Sequence, residues 1–132
     1  KASLKMFLDN PLIGVGPKVY REACKNQQYY VVNACTTHPH NIYMQLLAET
    51  GLLGFLPIFS LFLFVLYKII SHGYNKILKR KINLSDYEIC LYCAALITLW
   101  PFIPTGSAFN NWNSLIYFLP AGFLLQMSSK KI

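Results

Sequence analysis

The sequence predicts an all-α membrane protein: about three transmembrane helices, preceded by an N-terminal segment on the outer side. Three observations lead to this fold class. The 132 residues are 55% hydrophobic and only 13% charged, with a mean hydropathy of +0.37, whereas soluble domains carry roughly 25% charged residues. Apolar stretches recur at about 52–70, 89–103 and 112–127. Basic residues gather in two clusters separated by two of those stretches.

Residues 1–41 read as the polar N-terminal segment and 42–132 as the helical region. In the first, Asn10-Pro11 and Gly14-Val15-Gly16-Pro17 are turn chemistry. Val19-Tyr20-Arg21-Glu22 can start a short helix, and Tyr29-Tyr30-Val31-Val32 is a short extended candidate. Leu52 to Tyr67 carries no charge, and with Lys68 snorkelling the run extends to Ile70. That approaches the ~20 residues a helix needs to cross the hydrocarbon core. Pro57 marks a kink near its start. Ile89 to Ile103 is the second stretch, ending at Trp100-Pro101-Phe102-Ile103-Pro104. Trp112 to Met127 is the third, with Pro120 and Gly122 inside, as membrane helices tolerate.

Lys68, Lys76, Lys79, Arg80 and Lys81 lie between the first two stretches, and Lys130 and Lys131 follow the third. The positive-inside rule then puts 71–88 and the C-terminus on the inner side, with 1–51 and 104–111 outside. The net charge of +7 does not signal nucleic acid, because the basic residues form no stripe interleaved with stacking aromatics. The chain opens on Lys1 without a signal sequence, so it is expected to be a piece of a longer protein whose upstream part would be a partner.

Chemistry concentrates at His38-Pro39-His40-Asn41 and the residues leading to Phe55. An ionisable cluster at a membrane boundary is expensive to keep, which makes it a functional candidate. Histidine titrates near neutral pH and suits general acid/base work. Pro39 can open a helix capped by Thr37, which would put His40, Tyr43, Met44 and Leu47 on one side. His40 is then the preferred catalytic candidate, although both histidines and Asn41 could simply cap and anchor a helix. Arg21, with Lys18 and Lys25 near it, follows Gly14-x-Gly16 and offers a fork for phosphate oxygens. Solvation of a surface arginine is the plainer alternative. Glu49 is the only formally charged side chain from Asn26 to Tyr67; it is either catalytic or a structural partner for Arg21 or for backbone amides.

Cys24 and Cys35 could close a disulfide loop of about a dozen residues, stabilising by roughly 2–3 kcal/mol. A zinc site from these cysteines with His38 and His40 fits none of the usual Cys/His spacings, so no metal is assigned. Cys90 and Cys93, one turn apart, read as packing residues. The amide-rich Asn110-Asn111-Trp112-Asn113 either binds sugar hydroxyls or solvates a hairpin, with Trp112 as an interface anchor.

Gly14-Val15-Gly16-Pro17 with Tyr20-Arg21, then Cys35 to Asn41, then Tyr43-x-Gln45-Leu46-Leu47-Ala48-Glu49-Thr50-Gly51-Leu52-Leu53-Gly54-Phe55, resembles the O-antigen ligase and polymerase family of bacterial envelopes. Pro104-Thr105-Gly106-Ser107 to Gly122-Phe123 continues the likeness. The resemblance implies part of a larger multi-helix GT-C-like glycosyltransferase in the bacterial inner membrane, its outer face periplasmic. It also implies transfer of a glycan from an undecaprenyl-pyrophosphate carrier in the bilayer to lipid A–core or to another carrier-linked glycan, without cofactor, metal or nucleotide sugar. In that reading His40 is the general base and Arg21 binds pyrophosphate, with Lys18, His38, Asn41 and Glu49 at the substrate. The alternative class is a polytopic transporter or channel component, with His40 and Glu49 lining a polar path.

Overall fold

The computed structural model describes residues 1–32, 35–81 and 84–129, with side chains to 126. All regular structure among them is α-helical: α1 (Ala2–Asp9), α2 (Tyr20–Ala23), α3 (Ile42–Ile77), α4 (Asp86–Thr98) and α5 (Asn111–Ser129). Tyr29 to Val32 forms no strand. The chain divides into two compact units, Lys1–Phe59 with Pro101–Asn113, and Ser60–Trp100 with the chain from Ser114.

In the first unit, α1 turns Ala2, Ser3 and Met6 inward, the three- and four-residue spacing of one helix face. Ala2, Met6, Tyr20, Cys24 and Ala48 form a buried cluster, against which Val15, Ala23, Tyr29, Val31 and Cys35 pack. Cys24 and Cys35 are paired as a disulfide at the edge of this cluster, their Cα atoms 5.6 Å apart, within the span the bond requires.

The centre of this unit is a break in α3. Gly51 leaves helical geometry at φ 59°, ψ −155°, a region that a residue with a Cβ rarely enters. A continuous helix would bond the Leu52 amide to the Ala48 carbonyl and the Leu53 amide to the Glu49 carbonyl. Instead, Leu52 N donates to Pro11 O (2.9 Å) and Leu53 N to Leu12 O (3.2 Å). The freed carbonyls of Ala48 and Glu49 accept from Val15 N (2.9 Å) and Gly16 N (3.0 Å). The Pro11–Gly16 turn therefore sits in the break and satisfies all four groups that the break releases. Buried backbone groups must be paired, so the turn and the break require each other. Two glycines permit the approach. Gly14, at φ 65°, has its α-carbon against the Ala48–Thr50 backbone, and Gly51 has its own against Leu12 and Ile13.

α3 starts at Ile42, later than the Thr37-capped start that the sequence suggests, because Asn41 is its cap. Asn41 Oδ1 accepts from Met44 N (3.0 Å), and Gln45 N makes the first four-residue bond, to Asn41 O (3.0 Å). His38 to Asn41 consequently precede the helix, and the helical register used to group His40 with Tyr43 and Leu47 does not apply.

In the second unit, Phe62 meets Trp100 edge-on (ring centroids 6.1 Å) and Phe64 meets Tyr92 (6.4 Å). α4 opens on a reciprocal capping box: Ser85 Oγ accepts from Glu88 N, and Glu88 Oε2 accepts from Ser85 N.

The expected architecture of about three transmembrane helices is corrected here. Among the described residues one helix, α3, is long and apolar enough to cross a membrane. The 89–103 stretch folds as α4, whose 13 residues reach roughly 20 Å against the ~30 Å of the hydrocarbon core. It stops at Thr98, short of Trp100-Pro101, where the pre-proline residue disfavours helix. The 112–127 stretch lies in α5, which carries Asn111, Asn113, Ser114 and Gln126 within its 19 residues. The multi-pass inner-membrane placement falls with the helix count: the sidedness given to 1–51, 71–88, 104–111 and the C-terminus needed three crossings, and one candidate crossing does not supply them. Lys130 and Lys131, half of that charge argument, lie outside the described residues.

Gly14→Ala and Gly51→Ala should each destabilise the fold by about 2–4 kcal/mol, combining left-handed strain with backbone overlap. Gly73→Ala, where an added Cβ meets nothing, should be neutral or stabilising by up to ~1 kcal/mol. Denaturant unfolding of the three variants checks this ordering.

Candidate functional site

Glu49 lies two residues before the break and is 1% exposed. Its carboxylate is held on both oxygens: Oε1 accepts from Tyr20 N (2.8 Å), and Oε2 from Gln45 Nε2 (2.7 Å). Gln45, one turn earlier and equally buried, uses both ends of its amide. Its Nε2 also donates to Ser107 Oγ (3.0 Å), and its Oε1 accepts from Ala108 N (2.8 Å). Two side chains on one face of α3 thus join the start of α2 to the 107–108 turn. The arrangement favours these residue types, since a buried carboxylate needs donors and an amide can serve two partners at once.

Above this network lies a cavity of about 630 Å³. One wall comes from Lys18, Thr37, His38, Gln45 and Glu49, and the other from the 106–113 segment. Lys18 reaches it from a left-handed turn position, φ 63°. His38 Nδ1 lies 3.0 Å from Thr37 Oγ1, while its Nε2 is buried without a hydrogen-bond partner. An unpaired buried polar atom is a costly arrangement, and this one belongs to a residue that borders the cavity. Burial pushes the His38 imidazole below the ordinary histidine range; the neighbouring His40 adds to the effect and the Glu49 carboxylate opposes it.

The candidates singled out from sequence separate here. Lys18, His38 and Glu49 share the cavity. His40 is exposed and outside its lining, with its ring edge-on to His38 (4.8 Å between centroids). Its carbonyl accepts from Thr105 N (3.0 Å). Asn41 is not in the lining; it caps α3, and its Nδ2 donates to Pro101 O (2.6 Å). Arg21 is exposed on α2 and not in the lining, so Glu49 takes a backbone amide as partner rather than Arg21. Cys24 and Cys35 are bonded to each other and leave no thiolate for a metal. Of His40 and Glu49, Glu49 borders this cavity.

Sequence reasoning left Gln45 without a role. Its signal was the four-residue spacing to Glu49, which puts both on one helix face. The part that Ser107 and Ala108 play was not legible, because it depends on a contact over 62 and 63 positions.

Residues 1–59 match the O-antigen ligase family model. The match covers less than half of the chain and contributes the titratable wall of the cavity, while the 106–113 wall lies beyond it. At this coarse level the chain is similar to glycan ligases and polymerases. Comparison with curated proteins and with solved structures gives no match.

The depressed His38 pKa carries a pH signature. In the folded state His38 binds its proton at lower pH than in the unfolded chain, where the value is about 6.5. Between the two values the unfolded state holds more protons, so His38's contribution is present above about pH 6.5 and lost as pH falls through the folded value. Unfolding free energy measured against pH should decline below about 6.5, and more shallowly in His38→Gln.

Proposed function

We propose that the chain forms part of a transferase that moves a glycan from a polyprenyl-pyrophosphate carrier to a hydroxyl acceptor, with the cavity beside Glu49 as its reaction site. The observation that carries this reading is the buried, unpartnered Nε2 of His38, in a polar cavity whose titratable wall lies within the segment that matches O-antigen ligases. With Nδ1–H donating to Thr37 Oγ1, Nε2 holds the lone pair, and the depressed pKa keeps it unprotonated at neutral pH.

The acceptor hydroxyl loses its proton to Nε2 as its oxygen attacks the anomeric carbon. The bond from that carbon to the carrier's phosphate oxygen breaks, and the pyrophosphate leaves with the electron pair. Lys18 is the cation that borders the cavity, and it suits the charge growing on the leaving group. This reading gives His38 the role that the family resemblance suggested for His40, and gives Lys18 the one suggested for Arg21.

Transfer assayed in the full-length protein, with a carrier-linked glycan as donor, should fall about 10²–10³-fold in His38→Ala. Lys18→Ala should also lower it, and His40→Ala and Arg21→Ala should have smaller effects. Full transfer by His38→Ala, with loss in His40→Ala, would reject the assignment.

A further inference from the structure

The two walls of the cavity differ in chemistry. Every ionisable group bordering it, Lys18, His38 and Glu49, comes from residues 1–59. The opposite wall has no ionisable side chain: it is built from Ser107, Phe109, Asn110, Asn111, Trp112 and Asn113. Part of its amide capacity is used internally. Asn110 Oδ1 accepts from Trp112 N (3.0 Å), and Asn113 Nδ2 donates to Ser107 O (3.3 Å). That leaves the Asn110 Nδ2 donors and the Asn113 Oδ1 acceptor, while the Asn111 side chain has no hydrogen bond among the described residues. Trp112 is 77% exposed at the rim.

We infer that the 107–113 segment is a recognition wall for the neutral hydroxyl groups of a sugar and sets which glycan the cavity accepts. Amides supply donors and acceptors side by side, which is what a hydroxyl, itself both, requires. Phosphate or carboxylate would call instead for fixed positive charge. The exposed indole gives the apolar face of a sugar ring a flat surface to cover. The wall is held rigid against the reacting groups, because Gln45 fastens both Ser107 and Ala108 to α3. Gly106 extends the fit: a Cβ there would collide with the Asn113 amide. The inference rests on the transferase reading only for the chemistry after binding.

The test is direct binding of sugar to the whole chain. Neutral disaccharides are titrated while tryptophan emission is recorded at low and high salt. At least one disaccharide should give a saturable change that is absent in Trp112→Phe and insensitive to salt. Affinity should drop roughly five- to tenfold in Asn110→Ala and in Asn111→Ala. The Asn111 side chain makes no hydrogen bond among the described residues, so truncating it separates recognition from folding. No saturable response to any disaccharide overturns the inference, as does a response that survives Trp112→Phe and both asparagine variants. A response abolished by salt or by Lys18→Ala also overturns it, since the charged wall would then be the binder. Binding with this pattern but no glycan transfer supports the recognition wall and rejects the transferase reading. Transfer that is indifferent to Trp112→Phe, Asn110→Ala and Asn111→Ala rejects the wall alone.

Discussion

Where α3 breaks at Gly51, four backbone groups lose their helical partners, and the Pro11–Gly16 turn supplies partners for all four. Left unpaired in a buried setting, each would cost on the order of 1–3 kcal/mol. The break cannot form without the turn, and the turn has no other template. Gly14 and Gly51 make the approach sterically open, each with positive φ and each against the other's strand of backbone. This mutual fit brings the N-terminal third of the unit onto the start of α3. It also puts α2 where its first amide can reach Glu49.

From there the order passes into side chains. Glu49 and Gln45 face the same way on α3, one holding α2 and the other holding the 107–108 turn. Segments more than fifty residues apart in sequence are thereby fixed around one cavity. Its titratable groups sit opposite a wall of neutral amides, a division that suits a reaction in which one partner is activated and another recognised. The disulfide between Cys24 and Cys35 fastens the chain beyond α2 to the same core cluster.

Local signals in the sequence read well where the physics is local. Asn10-Pro11 and the Gly14–Pro17 glycines announce a turn, Val19–Glu22 announces α2, and the apolar run after Leu52 announces the long helix. The helix count failed because apolar content was read without the local stops. Trp100, the residue before Pro101, goes with the end of α4 at Thr98 inside the second stretch, and α5 mixes Asn111, Asn113, Ser114 and Gln126 into the third. At the site, the His38-x-His40 block could be singled out, but which ring borders the cavity depends on Asn41 capping α3 and on Thr105 holding the His40 carbonyl. Those contacts span either a one-turn shift in helix start or sixty-odd residues, and neither is visible in spacing. Nothing in the sequence around Gly51 marks a break, since its role is set by Leu12 and Ile13.

The seating of the Pro11–Gly16 turn in the break of α3 governs both the fold of the first unit and its cavity, and amide hydrogen exchange reads that contact residue by residue. The amides of Val15, Gly16, Leu52 and Leu53 should be protected together and lose protection in one cooperative opening, because they belong to one interlocked set. Protection of Leu52 and Leu53 with free exchange at Val15 and Gly16 would instead describe an uninterrupted helix with a loose turn, and would contradict that seating.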